Sequence, residues 1–286
     1  MKQRIRYINI LLAGMMALCL VGCGGSDEGK GSGTDSGNDD GETKEASLED
    51  NFEWSGDIII ALTDSGAEQE SLIIPERCEG FNGLIFADKE NSVKSVSFES
   101  DKDIDLNGVF SGADNLETVT LPAELTTIGD MEFWLCPALK EITIPAEVKT
   151  IGNRAFQDDQ KLSKVVFLGE LTSIMPYAFK GCSSLTEIEL PNTITHIDEY
   201  AFNECTSLKE ITLPESLKEV GEFAFGNNGL EILNIPSQLE LVSYSSTSFI
   251  QAERKLEINV VEGSWADQNF DKVFEREIKN IVTDIS

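Results

Sequence analysis

The side chains that could do chemistry are few, and their spacing defeats most of the chemistry. His196 is the only histidine in 286 residues, so the chain holds no His-based acid–base pair and no multi-His metal site. Cys136, Cys182 and Cys205 fall at multiples of 23 residues, but no C-x-x-C pair accompanies them, as zinc or redox motifs would require. Asp101-Lys102-Asp103-Ile104-Asp105-Leu106-Asn107-Gly108 has the look of a calcium loop. Its sixth position is Leu106 where Gly is needed, and its twelfth is Gly112 where Glu is needed. Asn38-Asp39-Asp40-Gly41 likewise lacks the remaining ligands. There is no G-x-S-x-G, no phosphate-cradling glycine loop and no H-E-x-x-H. The expectation is a chain that is not an enzyme, with no catalytic residue, cofactor or metal.

Charge narrows the partners. The chain carries 22 Lys+Arg against 51 Asp+Glu, a formal net charge of −29. A nucleic-acid binder needs a basic face that releases phosphate counterions, and a polybasic membrane patch needs the same sign. Both are excluded. Apolar residues at 41% suffice for a core.

The elements that must position any site come next, and the first is an address. Lys2, Arg4 and Arg6 precede an apolar run from Ile8 to Val21, too short for a confident membrane span but suited to an export signal over residues 1–22. The run ends in Leu20-Val21-Gly22-Cys23, which resembles the lipobox of bacterial lipoproteins. That resemblance implies cleavage before Cys23 and lipidation of its sulfur, so that the lipid alone holds the chain to the membrane, outside the cytoplasm. Residues 23–50 are Gly-, Ser- and acid-rich and read as a flexible tether.

From Val93 onward a 23-residue period governs the chain. Phe110, Phe133, Phe156, Phe179, Phe202 and Phe225 form one column. Val96, Val119, Ile142, Val165, Ile188 and Ile211 form another, and Ile128, Ile151, Ile174, Ile197 and Val220 a third. Prolines 122, 145, 191 and 214 follow the strand-like Leu-x-x-Ile-x-Leu stretches, with Leu168 breaking the series. Alternation predicts a short strand in each repeat, ended by proline, and the Ala-Phe segments predict a helical or 3₁₀ turn. No single repeat can bury its apolar edge, so neighbours must stack.

Leu171-x-x-Ile174-x-x-x-Ala178-Phe179-x-x-Cys182-x-x-Leu185-x-x-Ile188-x-Leu190-Pro191 resembles the BspA-like, or Treponema pallidum type, leucine-rich repeat. The resemblance covers about Val93 to Pro236. It implies an α/β repeat solenoid, a right-handed coil with parallel strands on the concave face, in a family of mostly bacterial or protist surface proteins, several linked to adhesion. Departures are local: Ala113 and Asp159 stand where Cys occurs elsewhere, and Glu132 replaces Ala. The organisation expected is an N-terminal cap at 51–92, the solenoid at 93–255, and a strand–helix cap at 256–286. In that cap Phe270, Val273, Phe274 and Ile278 have helical spacing. Cys182 and Cys205, on adjacent turns, are either a disulfide or buried fillers, and the filler reading is preferred because Cys136 lacks such a neighbour.

Two surface columns are candidate binding faces. Glu141, Lys164, Glu187 and Glu210, with Glu189 beside them, project from the sheet and lean acidic. Tyr177, Tyr200 and Phe223 precede the Ala-Phe pairs and make an aromatic edge that either anchors a partner or covers the core. The expected partner is another protein, on a host or microbial surface, bound by a monomer; a glycan is the alternative, with weak hydrolysis at the irregular ends.

Overall fold

The computed structural model describes residues 47–241, 243–244, 249, 256–274 and 278–282. The export segment, Cys23 and the tether up to residue 46 lie outside the described residues. Contacts divide the chain into residues 1–44 and residues 45–286, and the second unit is the one built from repeats.

Alternation in the sequence becomes a parallel sheet with one apolar side. Ser71–Ile74, Ser95–Phe98, Thr118–Val119, Glu141–Ile144, Lys164–Phe167 and Glu187–Ile188 pair in that order. Their register is 23 or 24 residues per step, as in Ser95 with Thr118 and Glu141 with Lys164. A second ladder continues through Glu210–Thr212, Ile232–Ile235, Glu257–Val261 and Ile278–Val282. The Val96, Val119, Ile142, Val165, Ile188, Ile211 column lies buried beneath. Further along each repeat a second parallel sheet runs through Thr150–Ile151, Ser173–Ile174, His196–Ile197, Glu219–Val220 and Ser243–Tyr244. At the N-terminal end, Phe52–Ser55 and Ile58–Leu62 form an antiparallel hairpin whose second strand pairs with Gly80–Phe81.

Between the two sheets runs a stack of phenylalanines. Phe86, Phe110, Phe133, Phe156, Phe179, Phe202, Phe225 and Phe249 lie with neighbouring ring centroids 5.1–5.6 Å apart and planes within 14° of parallel. Phe110 through Phe225 are fully buried. Each contributes about 2–3 kcal/mol of burial, and the stack exists only because every coil repeats the same Phe.

The Ala-Phe segments are hydrogen-bonded turns rather than helices, and their backbone explains why. Two residues per coil adopt left-handed geometry. One column is Gly108, Met131, Arg154, Tyr177, Tyr200 and Phe223, with φ between 51° and 72°; the other is Gly112, Leu135, Asp158, Gly181, Glu204 and Asn227, with φ between 50° and 76°. This conformation aims their N–H groups at the next coil. Met131 N donates to Asn153 O at 2.8 Å, Leu135 N to Gln157 O at 3.0 Å, and Asp158 N to Lys180 O at 2.7 Å. A non-glycine residue in this region costs about 1–2 kcal/mol, which the intercoil bonds offset.

The C-terminal cap differs from expectation in one respect. Glu257–Val261 leads to a helix at Trp265–Val273, with Ser264 Oγ accepting from Asp267 N at 3.2 Å as its N-cap. The helix stops there instead of running to Ile278. Phe274 leaves helical geometry at φ −128° and ψ 47° so that its ring packs on Phe249 and Phe270, and Ile278–Val282 forms a strand beside Glu257–Val261. Burying Phe274 on the phenylalanine stack outweighs one more helical turn. Among the described residues no helix is long and apolar enough to cross a membrane.

Candidate interaction surface

The repeat places four of the candidate residues in one row, with Glu189 beside it. Glu141, Lys164 and Glu187 are register partners on successive strands and all three are exposed. Glu210, at the same repeat position on the following coil, begins the strand that opens the second ladder, and Glu189 stands outward beside Ile188. The bonded ladder is interrupted between Glu187–Ile188 and Glu210–Thr212, where two glutamates occupy equivalent positions on neighbouring coils. Like charges facing one another across a ladder are unfavourable.

Lys164 is the one cation in this row. Other lysines near the strand starts are tied to acids one coil away: Lys94 to Glu70 at 2.5 Å, Lys209 to Glu231 at 3.4 Å, and Lys140 to Glu117. Lys164 makes no ion pair among the described residues.

A cleft opens beside it. The pairing of Lys164–Phe167 with the next strand covers only Lys164–Glu187 and Val165–Ile188. Beyond that point the two coils part and leave a space of about 620 Å³, lined by Lys164, Val166, Phe167, Glu187, Glu189 and Leu190. Leu168, which stands in the proline position, is 63% exposed, and Phe167 and Leu190 are half-buried. Gly169 keeps the chain close to the preceding coil, where an added Cβ would lie 2.0 Å from Ala146 O. Half-buried Val166, Phe167 and Leu190 are here flanked by Lys164, Glu187 and Glu189.

The aromatic column is arranged differently. Tyr177 and Tyr200 stack at 5.1 Å with planes 3° apart, and Tyr200 and Phe223 at 5.3 Å. The Arg154 guanidinium lies 5.1 Å from the centre of the Tyr177 ring, and Lys180 Nζ 6.0 Å from that of Tyr200. Both faces of Tyr200 are thus covered by its neighbours, and those of Tyr177 by Tyr200 and Arg154. A sugar ring stacks on an open aromatic face, and this column offers chiefly edges.

The remaining candidates resolve into structure. Cys78, Cys136, Cys182 and Cys205 are buried free thiols. Sγ of Cys136, Cys182 and Cys205 donates to the carbonyls of Phe110, Phe156 and Phe179 at 3.0–3.2 Å, so they are hydrogen-bonded fillers. Burial holds the Cys136, Cys182 and Cys205 thiols well above their usual range, away from the reactive thiolate. His196 is half-exposed, with Nδ1 2.7 Å from Thr195 Oγ1 and Nε2 3.6 Å from Glu219. The Thr195 hydroxyl also lies 3.2 Å from Thr172 O, so it links the imidazole to the backbone of the preceding coil. Asp101, Asp103 and Asp105 are all exposed, and Asp103 accepts from Thr126 N and Oγ1 at 2.9 Å each. Among the described residues no group of three or more His, Cys, Asp or Glu side chains is placed to hold a metal ion.

Two departures noted in the repeat pattern turn out to be buried acids. Glu132 is 2% exposed and Asp159 0% exposed. Glu132 Oε2 accepts from Gly108 N at 3.0 Å, and Asp159 Oδ1 from Cys136 N at 2.7 Å, while Glu132 Oε1 and Asp159 Oδ2 have no partner. Burial raises both carboxyls, Glu132 to about 7 and Asp159 well above the ordinary range. Their sequence signal was the break in the Ala and Cys columns.

The repeat geometry now on the page is matched by the family model for the BspA type leucine rich repeat region, in six copies over residues 65–186 and 172–264. The chain belongs to this family. The repeat matches the solved structure of a leucine-rich repeat protein from Bacteroides ovatus, 23% identical, with TM-score 0.56 over 77% of this chain. This chain spans 55% of that protein's length. Further matches are a T. pallidum leucine-rich repeat protein, 20% identical over 78% of this chain and 99% of that one with TM-score 0.42, and a leucine-rich cell surface protein of Faecalibacterium prausnitzii, 15% identical over 82% and 96% with TM-score 0.36. A search of the curated proteins finds no match. The Bacteroides likeness establishes the parallel-stranded repeat fold.

Proposed function

We propose that this chain is an exported repeat protein, held to a bacterial membrane by lipid on Cys23, that binds a protein partner through the outer face of its first sheet. The cleft beside Lys164 carries the reading. It joins half-buried Val166, Phe167 and Leu190 to Glu187 and Glu189, with exposed Leu168 next in the chain and Glu210 on the adjoining coil. A partner that places an apolar side chain on this lip and basic groups against the glutamates would desolvate the former and complement the latter. Membership of a leucine-rich repeat family supports an interaction role, and the cell-surface description of the Faecalibacterium protein accords with export. The lipobox and tether support anchoring at a distance from the membrane. Adhesion to a host or microbial surface protein is the biological form this binding takes in the proposal. The covered faces of Tyr177 and Tyr200 favour protein over glycan.

The test is quantitative capture from host and microbial extracts by the native chain, by Val166→Glu in the cleft wall, and by Glu187→Lys combined with Glu210→Lys. The proposal expects proteins enriched by the native chain to be lost from both variants. Unchanged capture would contradict the assignment of this face.

A further inference from the structure

We propose that the seam between the 103–108 and 126–132 segments is a receptor cleft for a guanidinium group, such as an arginine side chain of a partner, with Glu132 at its floor. It lies apart from the Lys164–Glu189 cleft and rests on the protein-binding reading only for what presents the guanidinium.

The seam is a local failure of the repeat. In the second-sheet row Gly80 bridges Asp105, and Ile128 bridges Ile151, but no bridge joins Asp105 to Ile128 although they are one period apart. The facing turns stay joined through Gly112 N and Trp134 O at 2.7 Å, but one intercoil bond is missing at the same place. Met131, Arg154, Tyr177 and Tyr200 each donate their N–H to a carbonyl 22 residues on, whereas Gly108 donates to the Glu132 carboxylate instead. The side chain has taken the place of the neighbouring backbone, and the coils have parted around it. Equivalent positions carry Ala155, Ala178, Ala201 and Ala224, so the fold itself does not call for an acid there.

The resulting cleft measures about 540 Å³. Asp103, Asp105, Asp130 and Glu132 line it, together with backbone and neutral side chains, and no lysine, arginine or histidine does. Asp103 uses both oxygens on Thr126. Asp105 uses Oδ1 on Asn107 N, and Asp130 uses Oδ1 on Asn153 N. Glu132, almost wholly buried, leaves Oε1 without a partner. A buried orphan oxygen is unfavourable, and a donor entering the cleft would satisfy it. The acids are too dispersed to form a metal group among the described residues. A planar cation with five N–H donors can reach separated acceptors that a single ion cannot.

The full chain is titrated with the tripeptide Gly-Arg-Gly, its citrulline analogue and calcium chloride, following amide NMR shifts at Gly108 and Glu132 from pH 6 to 8. The inference expects the arginine peptide to bind and the uncharged citrulline peptide not to. Because burial raises the Glu132 carboxyl to about 7, affinity should rise across this range as the proton leaves. Glu132→Gln should weaken binding about tenfold and flatten the pH profile, since a charge-assisted bond becomes a neutral one. Asp105→Asn, on the exposed rim, carries the same test if Glu132→Gln loses its fold. Glu187→Lys with Glu210→Lys should leave peptide binding unchanged, which separates this cleft from the sheet-face proposal. Absence of arginine binding, equal binding of citrulline, response to calcium alone, or affinity indifferent to both acid substitutions would each overturn it.

Discussion

Replacing Asp159 by cysteine should stabilise the protein at neutral pH, and the reason lies in its column. Cys182 and Cys205 occupy the same position on the next two coils, where Sγ donates to the carbonyls of Phe156 and Phe179 at 3.1 and 3.2 Å. Asp159 makes no such bond to a carbonyl; it accepts from Cys136 N at 2.7 Å and leaves Oδ2 buried without a partner. Cysteine is nearly the same size, so no cavity opens. Removing one unsatisfied buried oxygen should contribute about 1–3 kcal/mol, less the weaker acceptance of Cys136 N by sulfur. The gain has a pH signature. Burial raises the folded carboxyl above its unfolded value near 3.8, so the native aspartate disfavours folding once the unfolded state ionises. Its destabilisation is absent below the unfolded value and grows as pH rises through it. Urea unfolding of both proteins at pH 7.5 and at pH 3.5 measures the effect. Asp159→Cys should unfold at higher urea at pH 7.5, with the gap shrinking at pH 3.5. Equal midpoints at pH 7.5, or a gap independent of pH, would refute the reasoning.

Phe156→Ala removes one ring from the middle of the stack and should cost about 3–5 kcal/mol, seen as a large fall in urea midpoint. Because Glu132 is raised to about 7, native stability should decline as pH rises from about 4.5 to 7, and Glu132→Gln should remove that part of the slope, up to about 3 kcal/mol by unfolding titration. Gly112→Ala meets only Ala87 Cβ at 3.5 Å, so its cost of about 1–2 kcal/mol should report the left-handed backbone at φ 73° rather than a clash. The buried thiols Cys136, Cys182 and Cys205 should resist a water-soluble thiol reagent until the chain unfolds.

The repeat was legible in the sequence because its physics is translational. Phe133, Phe156 and Phe179 recur at one spacing because each must stack on the last, and Val165 and Ile188 recur because each strand buries the same side. Capping was less legible, since the end coils have no neighbour to enforce the period. Phe274 therefore looked helical by spacing while tertiary packing drew it onto Phe249. The left-handed columns were not read from the sequence, since residues that favour this geometry stand only at Gly108, Gly112, Gly181 and Asn227. At Tyr177 and Leu135 the intercoil bonds override residue preference, and composition could not reveal them. Glu132 and Asp159 were legible as departures, but their burial and the seam at Glu132 follow from what adjacent coils do around them. Of the candidate surface, the row from Glu141 to Glu210 followed from alternation. The cleft did not, because it depends on where the pairing of Lys164–Phe167 with its neighbour stops.

A photo-crosslinking residue placed at Val166 or Glu189, and at Ser173 on the second sheet as a comparison, tests the binding face most directly on intact cells. Adducts to a common protein from positions 166 and 189, absent from 173, are the predicted result. Adducts arising equally from 173, or from 173 alone, would contradict the account.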